Sequence, residues 1–253
     1  KRRSEMKKWQ TETLGRLDAL VTTKKKEFLC ADPFPHCVID DLFDSLLIEE
    51  LVNEFPIVSD PIWESSNQER IQVKLRSKWV TDEDILPATR SMVHFLNSGV
   101  FMKQLTEICG IEKLISDPYY TGGGLNCTRK GGLLDVHVDG NWHHAMGVHR
   151  RLNAILYLNK EWKSEWGGAL ELWDPEVTRC VKSIEPKANR LIIFETHDYT
   201  YHGHPTPLAC PNDEARKSLI LYYYTALPRP ETQVVISKPH RALWRRLQLK
   251  ELS

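Results

Sequence analysis

From Gly122 onward the chain is a series of short β-type runs set between turn residues, and this pattern restricts its fold more than any other feature. Gly122-Gly123-Gly124 and Gly131-Gly132 open the series, and strand signals follow at 133–137, 153–158, 169–173, 191–194 and 218–225. Many short strands with turn punctuation predict a double-sheet jelly roll, whose interior can hold a small ligand. The residues ahead of this region carry a helical period instead. Leu14, Leu17, Leu20 and Val21 form one apolar stripe, and 34–42 reads as extended around Cys37-Val38-Ile39. Asp44 or Ser45 can cap a helix that stacks Leu47, Leu51 and Phe55 and stops at Pro56. Residues 86–96 and 100–109 give two more helices, the second closed by Gly110. The expectation is a mainly β chain with flanking helices (α+β) in one structural domain. Residues 1–120 form a helical and extended support, 121–230 the β core, and 231–253 a helical tail carrying Trp244, Leu247 and Leu249.

His137-Val138-Asp139 stands at the end of the first core strand. Residues i and i+2 of a strand share one side, so an imidazole and a carboxylate can reach the same ion. His202 and His204 compete as third ligand, because both follow the apolar run Leu191-Ile192-Ile193-Phe194 and alternation gives them the same parity. Two imidazoles and one carboxylate leave the far face of an octahedral ion open, the arrangement of non-haem Fe(II) sites. Zinc accepts the same donors, but no His-Glu-x-x-His pattern supplies a zinc hydrolase with its base. A lone His-x-Asp arises often by chance, and Arg216 gives it weight. Arg216, Ser218 and Ile220 fall on one face of the strongest strand signal. An Arg turned to a buried interior needs an anion, and its planar fork suits one end of a dicarboxylate while Ser218 donates a further hydrogen bond. The alternative is an exposed edge Arg paired with a surface acid.

Several further segments recur around these residues in a fixed order: Ile155-Leu156-Tyr157-Leu158-Asn159, Gly167-Gly168-Ala169-Leu170, Pro186-Lys187-Ala188-Asn189-Arg190, His202-Gly203 and Arg216-Lys217-Ser218. From Gly131 to Leu227 the chain resembles the Fe(II)- and 2-oxoglutarate-dependent oxygenase superfamily, in its prolyl hydroxylase-like branch. The resemblance implies a distorted jelly roll, the double-stranded β-helix. It implies His137, Asp139 and His202 as the catalytic iron ligands, His202 being preferred because it precedes Gly203 at the family's distance from Arg190. It places Arg216 on the distal carboxylate of 2-oxoglutarate, with Tyr157 and Ser218 beside it. The interval between His202 and Arg216 is longer than many relatives carry, and Lys217 is a weaker substitute for the anchor. The implied activity is that of a dioxygenase using Fe(II), 2-oxoglutarate and O2, with ascorbate for sustained activity. It hydroxylates a C–H bond and releases succinate and CO2; the carboxylate of Asp139 favours hydroxylation over halogenation. The substrate implied is a prolyl residue of a protein or peptide, and a free amino acid or other small metabolite is the second reading. An inactive binding or scaffold domain would lack a ligand or the anchor Arg, and all four candidates stand.

Composition sets the remaining bounds. Lys plus Arg and Asp plus Glu are both 34, so bulk charge gives no reason to expect a nucleic-acid partner. The basic runs at Lys1-Arg2-Arg3, Lys24-Lys25-Lys26 and 241–246 read as solvated faces. No apolar run is long enough to span a membrane, and none reads as a signal peptide, so the expectation is a cytoplasmic protein. Six scattered cysteines suit reduced thiols. The sequon Asn126-Cys127-Thr128 is expected to be coincidental, and His143, His144 and His149 to shape a site entrance rather than hold a second metal. Trp63, Trp142, Trp162, Trp166 and Trp173 are divided between core and an aromatic groove.

Overall fold

The computed structural model describes residues 7–68 and 71–245. Lys1, Arg2, Arg3, Arg246, Leu247 and Leu249 lie outside the described residues. The elements in chain order are α1 (Lys8–Cys30), β1 (His36–Asp40), α2 (Ser45–Asn53), β2 (Trp63–Gln68), β3 (Gln72–Ser77), α3 (Pro87–Leu96), α4 (Gly99–Cys109) and β4 (Ile115–Ser116). They continue as β5 (Gly124–Arg129), β6 (Leu133–Val138), β7 (Trp142–His143), β8 (Val148–Tyr157), β9 (Leu170–Trp173) and β10 (Cys180–Ile184). The last four are β11 (Arg190–Glu195), β12 (His202–His204), β13 (Ala215–Thr225) and β14 (Leu243–Trp244).

The strands form an antiparallel sheet in the order β1-β11-β8-β13-β5-β3-β6-β12-β9-β10, curled into a half-barrel. Alternation along the long strands sorts side chains into two layers. Leu152, Ala154 and Leu156 of β8, Leu191 and Ile193 of β11, and Leu219, Leu221 and Tyr223 of β13 point outward and share one core with the helices. Ile155, Tyr157, Ile192 and Phe194 point inward and meet Leu170 and Leu172 from the opposite wall. The outer layer explains the helices, whose apolar stripes must be covered. Trp9 of α1 meets Phe95 of α3 edge to face at 5.0 Å, Phe95 lies 5.5 Å from Phe101 of α4, and the Tyr223 hydroxyl donates to Leu96 O at 2.8 Å. The inner layer is where polar side chains appear on otherwise apolar strands.

Local signals act as their chemistry requires. The Asp44 carboxylate accepts from Leu46 N and Leu47 N at the start of α2, so Asp44, and not Ser45, is the cap. Gly110 ends α4 in the left-handed region at φ +71°. Asn126, of the sequon, is buried in β5 and holds Lys74, which leaves no room for a glycan. All six cysteines are free. Among the described residues no helix is long and apolar enough to cross a membrane.

Two features depart from expectation. The sheet does not stop at residue 120: β1 pairs with β11, and β3 joins the halves of the barrel by pairing with both β5 and β6. Residues 231–244 are not α-helical, and the part of the expected helix from residue 246 on lies outside the described residues. That segment, 231–244, has a single 3-10 turn at Glu231–Gln233 and then runs as irregular loop to β14, which pairs with β6. Pro239 removes a donor within the expected helix, and Asp198 captures the backbone N–H of Val235 and Ile236 at 2.7 and 3.0 Å.

Candidate metal centre

His137 and His202 are directly opposite one another on β6 and β12. Their rings lie 4.6 Å apart, and Asp139 follows two residues later on the same side as His137. The Asp139 carboxylate is 3.3 Å from His137 Nε2 and 3.9 Å from His202 Nε2. One donor atom from each of the three lies within 4.8 Å of the others, and all three residues are buried. Each imidazole is oriented by a carbonyl two residues back: His137 Nδ1 bonds to Asp135 O at 2.8 Å and His202 Nδ1 to Thr200 O at 2.9 Å. A carbonyl can only accept, so Nδ1 carries the hydrogen and each Nε2 lone pair faces the common centre. Trp244 stacks on His137 at 4.5 Å and Phe194 meets His202 at 4.7 Å, closing the apolar sides.

Close approach of β12 to β6 depends on Gly203. A Cβ there would lie 2.7 Å from Leu134 O and 2.8 Å from Asp135 O, far inside contact distance. A bulge between His202 and His204 then turns the two histidines to different tasks. His202 joins the triad, while His204 sits near Arg216 and Lys74 with its Nδ1 buried and unpaired.

Charge in the centre is set by burial and partners. Burial opposes the Asp139 charge but is outweighed by His202, His137 and Arg150, so the carboxyl stays well below its ordinary range. Burial lowers His202 to about 4, which keeps its lone pair available at neutral pH. Asn153 Nδ2 donates to Asp139 Oδ2 at 3.3 Å, and Arg150 Nη1 stands 3.7 Å from the same oxygen.

The three residues line a small inner cavity of about 190 Å³ that Arg216 also lines. Arg216 is 6% exposed; its Nε donates to Gly168 O at 2.6 Å and its Nη2 to the Tyr157 hydroxyl at 2.7 Å. Tyr157 accepts there, so its own hydrogen is free for another acceptor, and burial keeps the phenol protonated. His204 Nδ1 and Asn153 Oδ1 line the cavity as buried polar atoms with no partner, and Ser218 Oγ on β13 is a third. Each such atom costs about 1–3 kcal/mol unless an occupant satisfies it. Burial lowers Lys74, on the same wall, to about 8. A cavity lined by three metal donors, by the cations Lys74, Arg76, Arg150 and Arg216, and by orphaned polar atoms of His204, Asn153 and Arg150 fits a metal ion together with a small dianion.

Residues 123–224 match the family model described as the 2OG-Fe(II) oxygenase superfamily. Over that segment the chain is similar to that superfamily. Fe(II) and 2-oxoglutarate are the partners named for that superfamily, and the donors and cations of the cavity suit both. Over 88 residues, 33% of its length, the chain is 33% identical to mouse (Mus musculus) prolyl 3-hydroxylase OGFOD1, and it spans 16% of that protein's length. Its fold matches a prolyl hydroxylase from Trichoplax adhaerens, solved with a hypoxia-inducible-factor oxygen degradation domain peptide, at a TM-score of 0.61. Identity is 18%, with 92% of this chain and 98% of that one covered. A Pseudomonas putida prolyl-4-hydroxylase matches at a TM-score of 0.58 with 14% identity, covering 81% of this chain and 99% of that one.

The remaining sequence candidates are dispersed. Lys217 Nζ lies over the Phe55 ring at 5.4 Å on the helical side of the sheet, so it does not face the cavity. His143 Nε2 bonds to Asp117 at 3.0 Å inside the core, His149 packs on Trp142 at 4.8 Å, and His144 lines an outer cleft. No second group of metal donors exists among the described residues. Of the five tryptophans weighed for a groove only Trp142 lines that cleft; Trp63 packs on Phe55, and Trp162 on Trp166. Sequence reasoning missed Arg150, Lys74 and Trp244 as neighbours of the centre.

Proposed function

We propose that the chain is an Fe(II)- and 2-oxoglutarate-dependent dioxygenase that hydroxylates a C–H bond of a prolyl residue in a peptide or protein. The observation that carries this reading is the meeting, in one cavity, of three metal donors and the buried Arg216, which Tyr157 braces from behind. His137, Asp139 and His202 would hold the iron, and Arg216, Tyr157 and Ser218 one carboxylate of 2-oxoglutarate. Iron, 2-oxoglutarate and O2 together supply the oxidising chemistry, with succinate and CO2 as coproducts.

The protein's own contribution is position and environment. Arg216 presents a charge-assisted donor already fixed by Gly168 and Tyr157, so little side-chain freedom is lost on binding. The phenol hydrogen of Tyr157 serves the same carboxylate. Asn153 and Arg150 fix the Asp139 carboxylate, and Trp244 and Phe194 keep water from the imidazole edges. The inner cavity opens on an outer cleft of about 710 Å³ along shared residues Arg76, Gly122, Asp139, Arg150 and Ala242. That volume suits a peptide better than a free amino acid, and the similarity to prolyl hydroxylases supports a prolyl target.

The test is succinate formation from 2-oxoglutarate by Fe(II)-loaded protein in air, with proline peptides, free amino acids, or no substrate, and with and without ascorbate. Peptide-stimulated turnover with one oxygen added at proline is expected. Stimulation by free amino acids alone would select the metabolite reading, and no turnover despite bound iron would favour a binding domain.

A further inference from the structure

The outer cleft carries more positive charge than its own acids neutralise. Arg76, Lys78, Arg150 and Arg241 line it against Glu64 and Asp139. Glu64 is spoken for by Arg76 at 3.0 Å and Lys78 at 3.7 Å. Asp139 is the acid beside Arg150, at 3.7 Å, and in the proposed function that carboxylate serves the metal. Arg241 is exposed and has no ion pair among the described residues.

Arg150 is the decisive group. Its side chain is 12% exposed, its guanidinium lies 3.9 Å over the Tyr222 ring, and its Nε is buried without a hydrogen-bond partner. Stacking uses the face of the guanidinium and leaves its in-plane donors for something else. The bond from Nη2 to the Tyr224 hydroxyl is long, at 3.5 Å. A guanidinium held this way, on the boundary between the inner cavity and the cleft, is an anion site of fixed direction. Aromatic rings of Trp79, Tyr119, Tyr120 and Trp142 wall the same cleft and offer a peptide apolar area beside the charge.

We propose that the substrate is an acidic peptide segment, and that an anionic side chain next to the oxidised residue is gripped by Arg150 and Arg241. This rests on the peptide-hydroxylase reading above and adds its specificity. The shared chemistry of carboxylate and phosphate fits the fork equally, so Asp and phosphoserine are both admitted.

The experiment measures binding of proline peptides that differ only beside the proline, in Asp, phosphoserine, Ala or Lys, to protein loaded with Mn(II) and 2-oxoglutarate. Oxygen incorporation is measured separately with Fe(II) in air. The Asp or phosphoserine peptide is expected to bind about tenfold more tightly than the Ala peptide, with the preference shrinking as salt rises. The stronger of the two anionic peptides identifies the source of the charge. Arg150→Gln and Arg241→Gln should each reduce the preference, and Mn(II) affinity measured alongside separates a grip on substrate from a mere effect on Asp139. Arg241 is exposed, so its variant keeps the test sound if Arg150→Gln fails to fold. Peptides hydroxylated without regard to charge would overturn the grip and leave the hydroxylase reading standing. An acidic preference in binding with no oxygen incorporated would do the reverse.

Discussion

Gly203 carries more consequence than its size suggests, because it sets the distance between the two imidazoles. A methyl group in Gly203→Ala meets Leu134 O and Asp135 O at under 3 Å and forces β12 away from β6. Asp135 O is also the acceptor that orients His137. The variant should lose about 1–3 kcal/mol of stability and bind Mn(II) more weakly, as thermal melting and metal titration would read. Arg216→Ala should weaken 2-oxoglutarate binding to the Mn(II)-loaded protein by roughly a hundredfold, about 3 kcal/mol, whereas Lys217→Ala should leave it unchanged. Equal losses in both would show that the carboxylate lies elsewhere. His137 with Asp139, and Arg216 with Ser218, were legible in sequence because the rule that pairs them, i and i+2 on one face, is local, whereas His202 was preferred only through the resemblance. His202 and His204 were not separable, since the bulge between them arises only when β12 meets β6. Arg150 was hidden for the same reason. The β13–β8 register slips between Tyr223 and Tyr224, which turns Arg150 into the cavity while Arg151 faces Glu195 on the other side.

Elements whose stability is mostly local read best. The α2 cap is one: Asp44→Ala removes the acceptor for two N–H groups and should cost about 1 kcal/mol, measurable by denaturant melting without change in metal affinity. The β2–β3 hairpin read worst. Trp63-Glu64-Ser65-Ser66-Asn67-Gln68 has no apolar alternation, because β2 sits at the barrel's edge, and only pairing with β5 and β6 makes β3 a strand. The tail failed for a related reason. Trp244 and its neighbours carry a helix-compatible pattern, but the residues that hold 228–240 belong to another part of the chain: Asp198 binds Arg229 at 2.9 Å and His240 at 3.0 Å.

For the molecule as a whole, buried titratable groups predict how folding depends on pH. Burial holds His197 and His202 at about 4, below the ordinary 6.5. The unfolded chain therefore takes up protons that the fold refuses, and stability falls as pH drops from about 6.5 towards 4. Asp198 adds to this: burial opposes its charge, but His240, the N–H groups of Ile236 and Val235, and Arg229 together hold it at about 2, a contribution lost as pH falls further. On the alkaline side, burial pushes Cys37 to about 12 and Cys109 and Cys127 to about 11, against an ordinary 9.0. There the unfolded chain gives up protons that the fold retains, so stability declines again above about pH 9. Lys74, which burial lowers from the ordinary 10.5 to about 8, acts in the opposite sense between those values and offsets part of the decline set by the three thiols. Urea midpoints of the metal-free protein should be highest between about pH 6.5 and 9; a maximum outside that window would contradict this account.

The edge of β6 holds β12 on one side and β14 on the other, with Trp244 lying flat on the ring of His137. A cation that fixes that ring must also favour the docked tail, and by reciprocity a docked tail must favour the cation. The peptide bond after Arg241, in the part of the tail that Trp244 docks, thus becomes a gauge of loading. Trypsin should cut it slowly when the centre is filled and readily after chelation, so the tail reports, from outside the barrel, whether the interior is charged with metal.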